Sequence, residues 1–278
     1  MASGEMYGDL HMHSYYSDGK HSPTDLVERA AKAGIDVISL TDHDNYRGIT
    51  EAIEAGRKHW IEVIPGAEIS SRLDGREMHI LCYYIDLTDE KTTRLLDMVC
   101  DTRLKRIQKM IAELQKTGVD ICFEDLAIPH PKTSLGRLHL AEAMVKKGIV
   151  SNNGEAFKLY IGDDSDVYEP HQSANAEEVI KTMLASGALP VLAHPGEDFP
   201  EEILKKMVEF GLVGIEGLYP NSHEKTRRQI LHWAKHYGLI LTGGSDFHYE
   251  GGHIQVGNPK IKSISLEALK LKHNSLKS

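Results

Sequence analysis

The sequence predicts an α/β fold: seven short strands alternate with helices around a barrel, and an inserted helical subdomain interrupts the alternation. Three observations carry this expectation. Short apolar or β-branched runs recur along the chain, helical patterns ending near a glycine separate them, and one long stretch carries helical periodicity alone. At 278 residues, 41% of them hydrophobic, the chain can fill one large β/α domain or one domain with an insertion.

Gly8 to His11, Val37 to Thr41, Ile61 to Ile69 and Met78 to Tyr84 read as the first four strands, each bounded by turn or polar residues. Between the first two, Ser22-Pro23-Thr24-Asp25 starts a helix: serine can cap, proline suits the first helical position, and an acid follows in the first turn. Gly34 is the matching stop. From about Leu87 to His171 no strand is expected. Leu95, Met98, Val99, Leu104, Ile107, Met110, Ile111 and Leu114 recur at helical spacing, so Lys91 to Thr117 reads as one amphipathic helix closed by Gly118. Pro129 and Pro131 mark a break, and Gly136 to Lys147 gives a further helix. Leu189 to Ala193, Val213 to Gly217 and Leu239 to Gly243 complete seven strands of what the alternation implies is a parallel sheet. The expected organisation is a barrel of residues 1–90 and 172–278, with residues 91–171 as an inserted helical subdomain.

A net charge of −9 argues against bulk nucleic-acid binding, which needs clustered cations to displace counterions. Cys82, Cys100 and Cys122 are scattered without metal-ribbon spacing, which fits a reducing cytoplasm. The start of the chain lacks the basic and apolar regions of a signal peptide, and no apolar run is long enough to span a bilayer. A soluble cytoplasmic protein without membrane partners is expected, its oligomeric state left open.

The chemistry lies in where the sixteen histidines fall. Asp9-Leu10-His11-Met12-His13 places two histidines at alternate positions of an extended chain, so both side chains point the same way and could share a metal. Asp18 follows in a turn-prone loop; Thr41-Asp42-His43-Asp44 ends the second strand; Glu68 closes the third; His79 interrupts the apolar fourth. His194 ends the fifth, and Gly243-Gly244-Ser245-Asp246-Phe247-His248 follows the seventh. Buried polar groups at so many strand ends need a common partner, and strand ends converge in a β/α barrel. Imidazole and carboxylate donors without thiolate suit manganese, iron or zinc, with Glu68 bridging two ions.

These runs, DLHMHSYYSDG, SLTDHD, PGAEIS, MHILCYY, VLAHPG and GGSDFH, resemble the signature motifs of the PHP family, named for polymerase and histidinol phosphatase. The resemblance spans about Gly8 to Pro259 and implies a distorted, seven-stranded, TIM-like barrel with two or three divalent metal ions at the strand ends. It implies one ion on His11, His13, Glu68 and Asp246, a second on Glu68, His79 and His194, and a third on Asp18, His43 and His248, with Glu68, His194 and Asp246 closest to catalysis. Within the family the chain looks most like members acting on nucleotide 3′,5′-bisphosphates or trimming short RNA 5′ ends. Ser134, Arg137 and His139 stand in a segment similar to the Arg-x-His segment of those proteins. Arg137 and His139 could hold a second phosphate, and His223, after the sixth strand, could touch substrate.

The function expected is therefore hydrolysis of a phosphomonoester of a small nucleotide by a hydroxide bridging two ions. The alternatives are a 5′-to-3′ exoribonuclease acting on short RNA ends, a histidinol-phosphate-type phosphatase, and a noncatalytic metal-stabilised interaction domain. The acidic run Asp163 to Asp166 weighs against a long RNA. His21, His59, His130, His171, His232, His236 and His273 are expected at the surface, and His253 is given no role.

Overall fold

The computed structural model describes residues 5–162, 164–167, 174–251 and 254–277. The chain runs β1 (Tyr7–Asp9), α1 (Pro23–Lys32), β2 (Val37–Leu40), α2 (Ile49–His59), β3 (Glu62–Leu73) and β4 (Arg76–Tyr83). It continues α3 (Glu90–Lys116), α4 (Arg137–Lys146), α5 (Asn153–Ala156), β5 (Ala174–Asn175), α6 (Ala176–Ala185), β6 (Leu189–Leu192) and α7 (Glu201–Phe210). The last elements are β7 (Gly214–Leu218), α8 (Glu224–Tyr237), β8 (Ile240–Gly243), β9 (Ile261–Lys262) and α9 (Ser263–Lys277).

One sheet runs in the order β8-β7-β6-β4-β3-β2-β1-β9, with β5 added beside β3. Its two ends nearly meet. The Leu10 amide donates to the Gly243 carbonyl at 3.2 Å, Asp246 donates to His11 O at 2.8 Å, and Met12 is bridged to Phe247. The result is a mixed α/β fold with an almost closed, barrel-shaped sheet. The seven expected strands are present with shifted ends, and the two-residue strands β5 and β9 join them.

The expectation of a parallel sheet is corrected at β4, which runs antiparallel to both β3 and β6. The reason is legible in the turn. Parallel neighbours need a crossover of a dozen or more residues, whereas only Asp74 and Gly75 separate β3 from β4. Both have positive φ, 49° and 81°, the backbone of a tight two-residue hairpin whose twist suits the flanking strands. β3 accordingly runs on to Leu73 rather than closing at Glu68.

Helix ends follow the sequence closely. Ser22 Oγ accepts from the Asp25 amide and Asp25 reaches back to the Ser22 amide, so both orphan donors at the start of α1 are satisfied. α3 lies within one residue of its expected bounds at either end. Among the described residues no strand occurs between β4 and β5, and Ile107, Met110, Leu114, Leu140, Met144 and Ile161 share an apolar cluster separate from those of the sheet. Of the histidines expected at the surface, His59, His232 and His236 are exposed, while His21 and His130 are half-buried. His273 is buried: it donates to Gly187 O at 2.9 Å and stacks on Tyr84. His171 and His253 lie outside the described residues. No helix among the described residues is long and apolar enough to cross a membrane.

Candidate metal centre

The antiparallel β4 explains how His79 joins side chains from the C-terminal ends of parallel strands. It stands near the start of a reversed strand, opposite Ser70 in register, with its carbonyl accepting from the Ala193 amide just before His194. Leu81 and Tyr83, which alternate with it on the same strand face, are fully buried in an apolar cluster with Leu10 and Val191. His11 and His13 follow β1 in extended chain. Close passage of Gly244 sets their place: a Cβ there would lie 2.4 Å from the His11 nitrogen, so no side chain fits.

Glu68 is fully buried, and five imidazoles reach its carboxylate. His11 Nε2, His13 Nε2 and His43 Nδ1 lie 3.0, 3.2 and 3.2 Å from Oε2; His79 Nδ1 and His194 Nε2 lie 2.8 and 2.9 Å from Oε1. A carboxylate offers about four acceptor sites, and only His11 and His194 meet it with hydrogen-bond geometry. His13 Nε2, His43 Nδ1, His79 Nδ1 and Asp18 Oδ1 are buried without a hydrogen-bond partner. Three orphaned ring nitrogens converge on Glu68 and an orphaned Asp18 oxygen faces His13 and His248, a donor set that fits divalent metals.

Three groups could each hold an ion: His11, His13, Glu68 and Asp246; His43, Glu68 and His79; and His13, Asp18, His43 and His248. All nine residues expected from the sequence lie in or against these groups, with His194 attached through Glu68. The grouping differs from expectation in two places: His43 stands where His194 was expected beside Glu68 and His79, and His13 joins Asp18, His43 and His248.

Burial and charge prepare the ring nitrogens differently. Burial lowers the His43 imidazole well below its ordinary range, outweighing Glu68 and Asp18, so it is the neutral, ligating form at pH 7. Burial pulls His194 down too, yet its hydrogen bond to Glu68 and that carboxylate's charge push it up to about 9. A cation arriving there must displace a proton.

The surrounding acids hold the loops. Asp9 accepts from Ser245 N and Oγ and from Gly257 N, Asp42 from Ser14 N and Oγ and from Ser17 Oγ, and Asp44 from Ser70 N and Oγ. Asp44, His194 and Asp246 sit at positive φ of 50°, 23° and 48°. Such conformations are strained for these residues and persist because neighbouring bonds fix them.

Two residues of consequence escaped the sequence reading. Glu216, fully buried in β7, accepts from His11 Nδ1 at 3.0 Å and from the His194 amide at 2.8 Å. It thereby fixes the His11 tautomer that leaves Nε2 facing the centre. A carboxylate inside the apolar run Val213 to Gly217 was the available signal, the same one that marked His79. Glu216→Gln is expected to weaken metal affinity about 10- to 100-fold, measured by competition with a chromogenic chelator. Arg103, on α3, donates to Asp44 Oδ2 at 3.2 Å with its side chain largely buried. Only its place on a helix face hid it.

The residues expected to bind substrate are divided. Ser134 is buried, its amide donating to Tyr16 O at 2.8 Å; Thr133 Oγ1 donates to Tyr15 O, and Asn45 donates to Tyr16 O and Lys132 O. This loop is thus fastened to the loop after β1. His139 is buried at the start of α4, its Nδ1 accepting from the Gly136 amide, which leaves the proton on Nε2. Burial lowers its pKa, against the nearby charges of Asp18 and Glu142. Arg137 lies over the Phe157 ring and donates to Ile161 O at 3.2 Å. His223 is exposed at the start of α8 beside Glu197 and does not join the cluster.

The model of the PHP domain matches residues 9–185. The chain is 37% identical to a 5′-3′ exoribonuclease of Haemophilus influenzae over 90% of its length and 92% of that protein's. It is 30% identical to a 3′,5′-nucleoside bisphosphate phosphatase of Chromobacterium violaceum, over 87% of each. A crystal structure of a Bifidobacterium adolescentis protein proposed to be a metal-dependent phosphoesterase superposes with a TM-score of 0.89 at 28% identity, covering 95% of this chain and 96% of that one. With the motifs, the nearly closed sheet and the cation-ready cluster in one molecule, these likenesses establish that the chain belongs to the PHP family of metal-dependent phosphoesterases.

Proposed function

We propose that this phosphoesterase removes a phosphate monoester from a small nucleotide, a nucleoside 3′,5′-bisphosphate above others. The observation that carries the reading is the convergence of five imidazoles on the buried Glu68 carboxylate. Two or three manganese, iron or zinc ions are assigned to His11, His13, Asp18, His43, Glu68, His79, His194, Asp246 and His248. When bound, such ions neutralise phosphate charge and make water a nucleophile at neutral pH. The chain's own residues orient and exclude: Glu216 holds His11 and the His194 backbone, and Asp44 with Arg103 ties α3 to the site.

Residues 91–171 are assigned as the helical subdomain that walls one side of the substrate pocket. Its separate apolar cluster and the bonds of residues 132–134 to the loops after β1 and β2 support this. His139, carrying its proton on Nε2, is assigned as a donor to a substrate phosphate, and Arg137 and Ser134 shape the loop that presents it. A cytoplasmic setting and a small substrate fit the acidic overall charge of −9.

Protein loaded with manganese should release orthophosphate from adenosine 3′,5′-bisphosphate, and His194→Ala should lower that rate by about a hundredfold or more, through loss of a ligand-side contact worth roughly 3 kcal/mol. A ladder of mononucleotides from an end-labelled oligoribonucleotide, without bisphosphate turnover, would instead assign the exonuclease activity.

A further inference from the structure

A cavity of about 240 Å³ opens onto His79 and His194. Its other walls come from the start of β4 and the loop after β6: Arg76, Glu77, Met78, Pro195 and Phe199 among them. Arg76 holds its guanidinium 5.5 Å from the centroid of the buried Phe199 ring. Among the described residues no carboxylate pairs with this arginine, and its side chain is exposed. Glu77 stands next to it on the opposite strand face, the face shared by His79.

We propose that this cavity receives the nucleobase of the substrate, with the Arg76 guanidinium on Phe199 as its stacking plane. The inference rests on the nucleotide reading above and names which part of the nucleotide goes where. The lining decides against a second phosphate. Met78, Pro195 and Phe199 offer apolar walls, and a carboxylate beside the arginine opposes an anion. A flat, neutral group with donors and acceptors on its rim suits apolar walls bearing one charge of each sign. Guanidinium planes stack on aromatic rings and on bases alike, so Phe199 below and a base above complete the sandwich. The volume accommodates one base and excludes a stacked run of several. The cavity's opening at His79 and His194 leaves the ribose to bridge base and reacting phosphate.

The test compares the manganese-loaded enzyme on adenosine 3′,5′-bisphosphate and on its abasic analogue, 1-deoxyribose 3,5-bisphosphate. The ratio of the two kcat/KM values is expected to fall about tenfold in Arg76→Ala, chiefly through KM, as loss of one base-stacking contact does. Arg76→Lys keeps the charge but not the plane and is expected to fall equally. An unchanged ratio in Arg76→Ala, or full preference retained by Arg76→Lys, overturns the stacking assignment. Adenosine 5′-monophosphate binding by calorimetry separates this from the functional reading. Should the wild type hydrolyse p-nitrophenyl phosphate but neither bisphosphate, the proposed substrate is wrong. Weaker binding of the monophosphate by Arg76→Ala would then still sustain the pocket, and equal binding would remove it.

Discussion

Glu68→Gln is expected to lower kcat on p-nitrophenyl phosphate by about a thousandfold, the largest loss foreseen for any single substitution in this molecule. Glutamine matches the shape of glutamate, so the buried volume is kept and the fold should survive. What changes is charge. The side chain now reached by five imidazoles would be neutral and would turn an N–H₂ group toward ring nitrogens that need an anion between them. Two of the three candidate ion groups include Glu68, so both lose their shared carboxylate. Loss of roughly 4 kcal/mol of electrostatic stabilisation of the reacting phosphate corresponds to about three orders of magnitude in rate. Steady-state kinetics together with elemental analysis of the purified variant would check it. A variant with normal manganese content and normal turnover would mean that Glu68 is only a hydrogen-bonded core residue.

The second large effect concerns stability. Ions that bind the folded cluster and not the unfolded chain stabilise by mass action, about 4 kcal/mol for one site when the free ion stands a thousandfold above its dissociation constant. For a chain of this size each kcal/mol moves the midpoint by roughly 2–4 °C. Chelation should therefore lower the midpoint of thermal unfolding by on the order of 10 °C, and returning manganese should restore it. The direction follows from the molecule: without cations, His13, His43, His79 and Asp18 keep buried polar atoms unsatisfied, a cost of the folded state alone. Differential scanning calorimetry at fixed protein concentration measures the shift. A midpoint indifferent to chelator and to added manganese would contradict the assignment of ions to this cluster.

Legibility in the sequence followed the strength of the local signals. The histidines after β1 could be paired because alternation in an extended chain fixes direction, whatever the exact end of the strand. His43, Glu68, His79, His194 and Asp246 stood out as polar residues where the pattern called for burial. Glu216 carried the same signal inside the run Val213 to Gly217 but lies outside all six motif runs. The reversal of β4 was also written in the chain: Asp74-Gly75 between two apolar runs is a hairpin signal, and the gap is too short for a crossover. Arg137 shows the opposite limit. Its identity suggested a phosphate fork, and its contacts with Phe157 and Ile161 depend on a turn of helix that no local pattern places.

The two-residue turn at Asp74 and Gly75 also acts as a ruler for the chemistry. It sets Ser70 opposite His79 and Glu68 opposite Leu81, so the spacing between the carboxylate and this imidazole is counted out in backbone hydrogen bonds rather than adjusted by side chains. Slippage by a single residue would exchange His79 for an aliphatic neighbour and turn the imidazole outward. Calibration of the centre is thus built into strand pairing, and the chain can tolerate drift in its outer helices far better than one inserted residue within this ribbon.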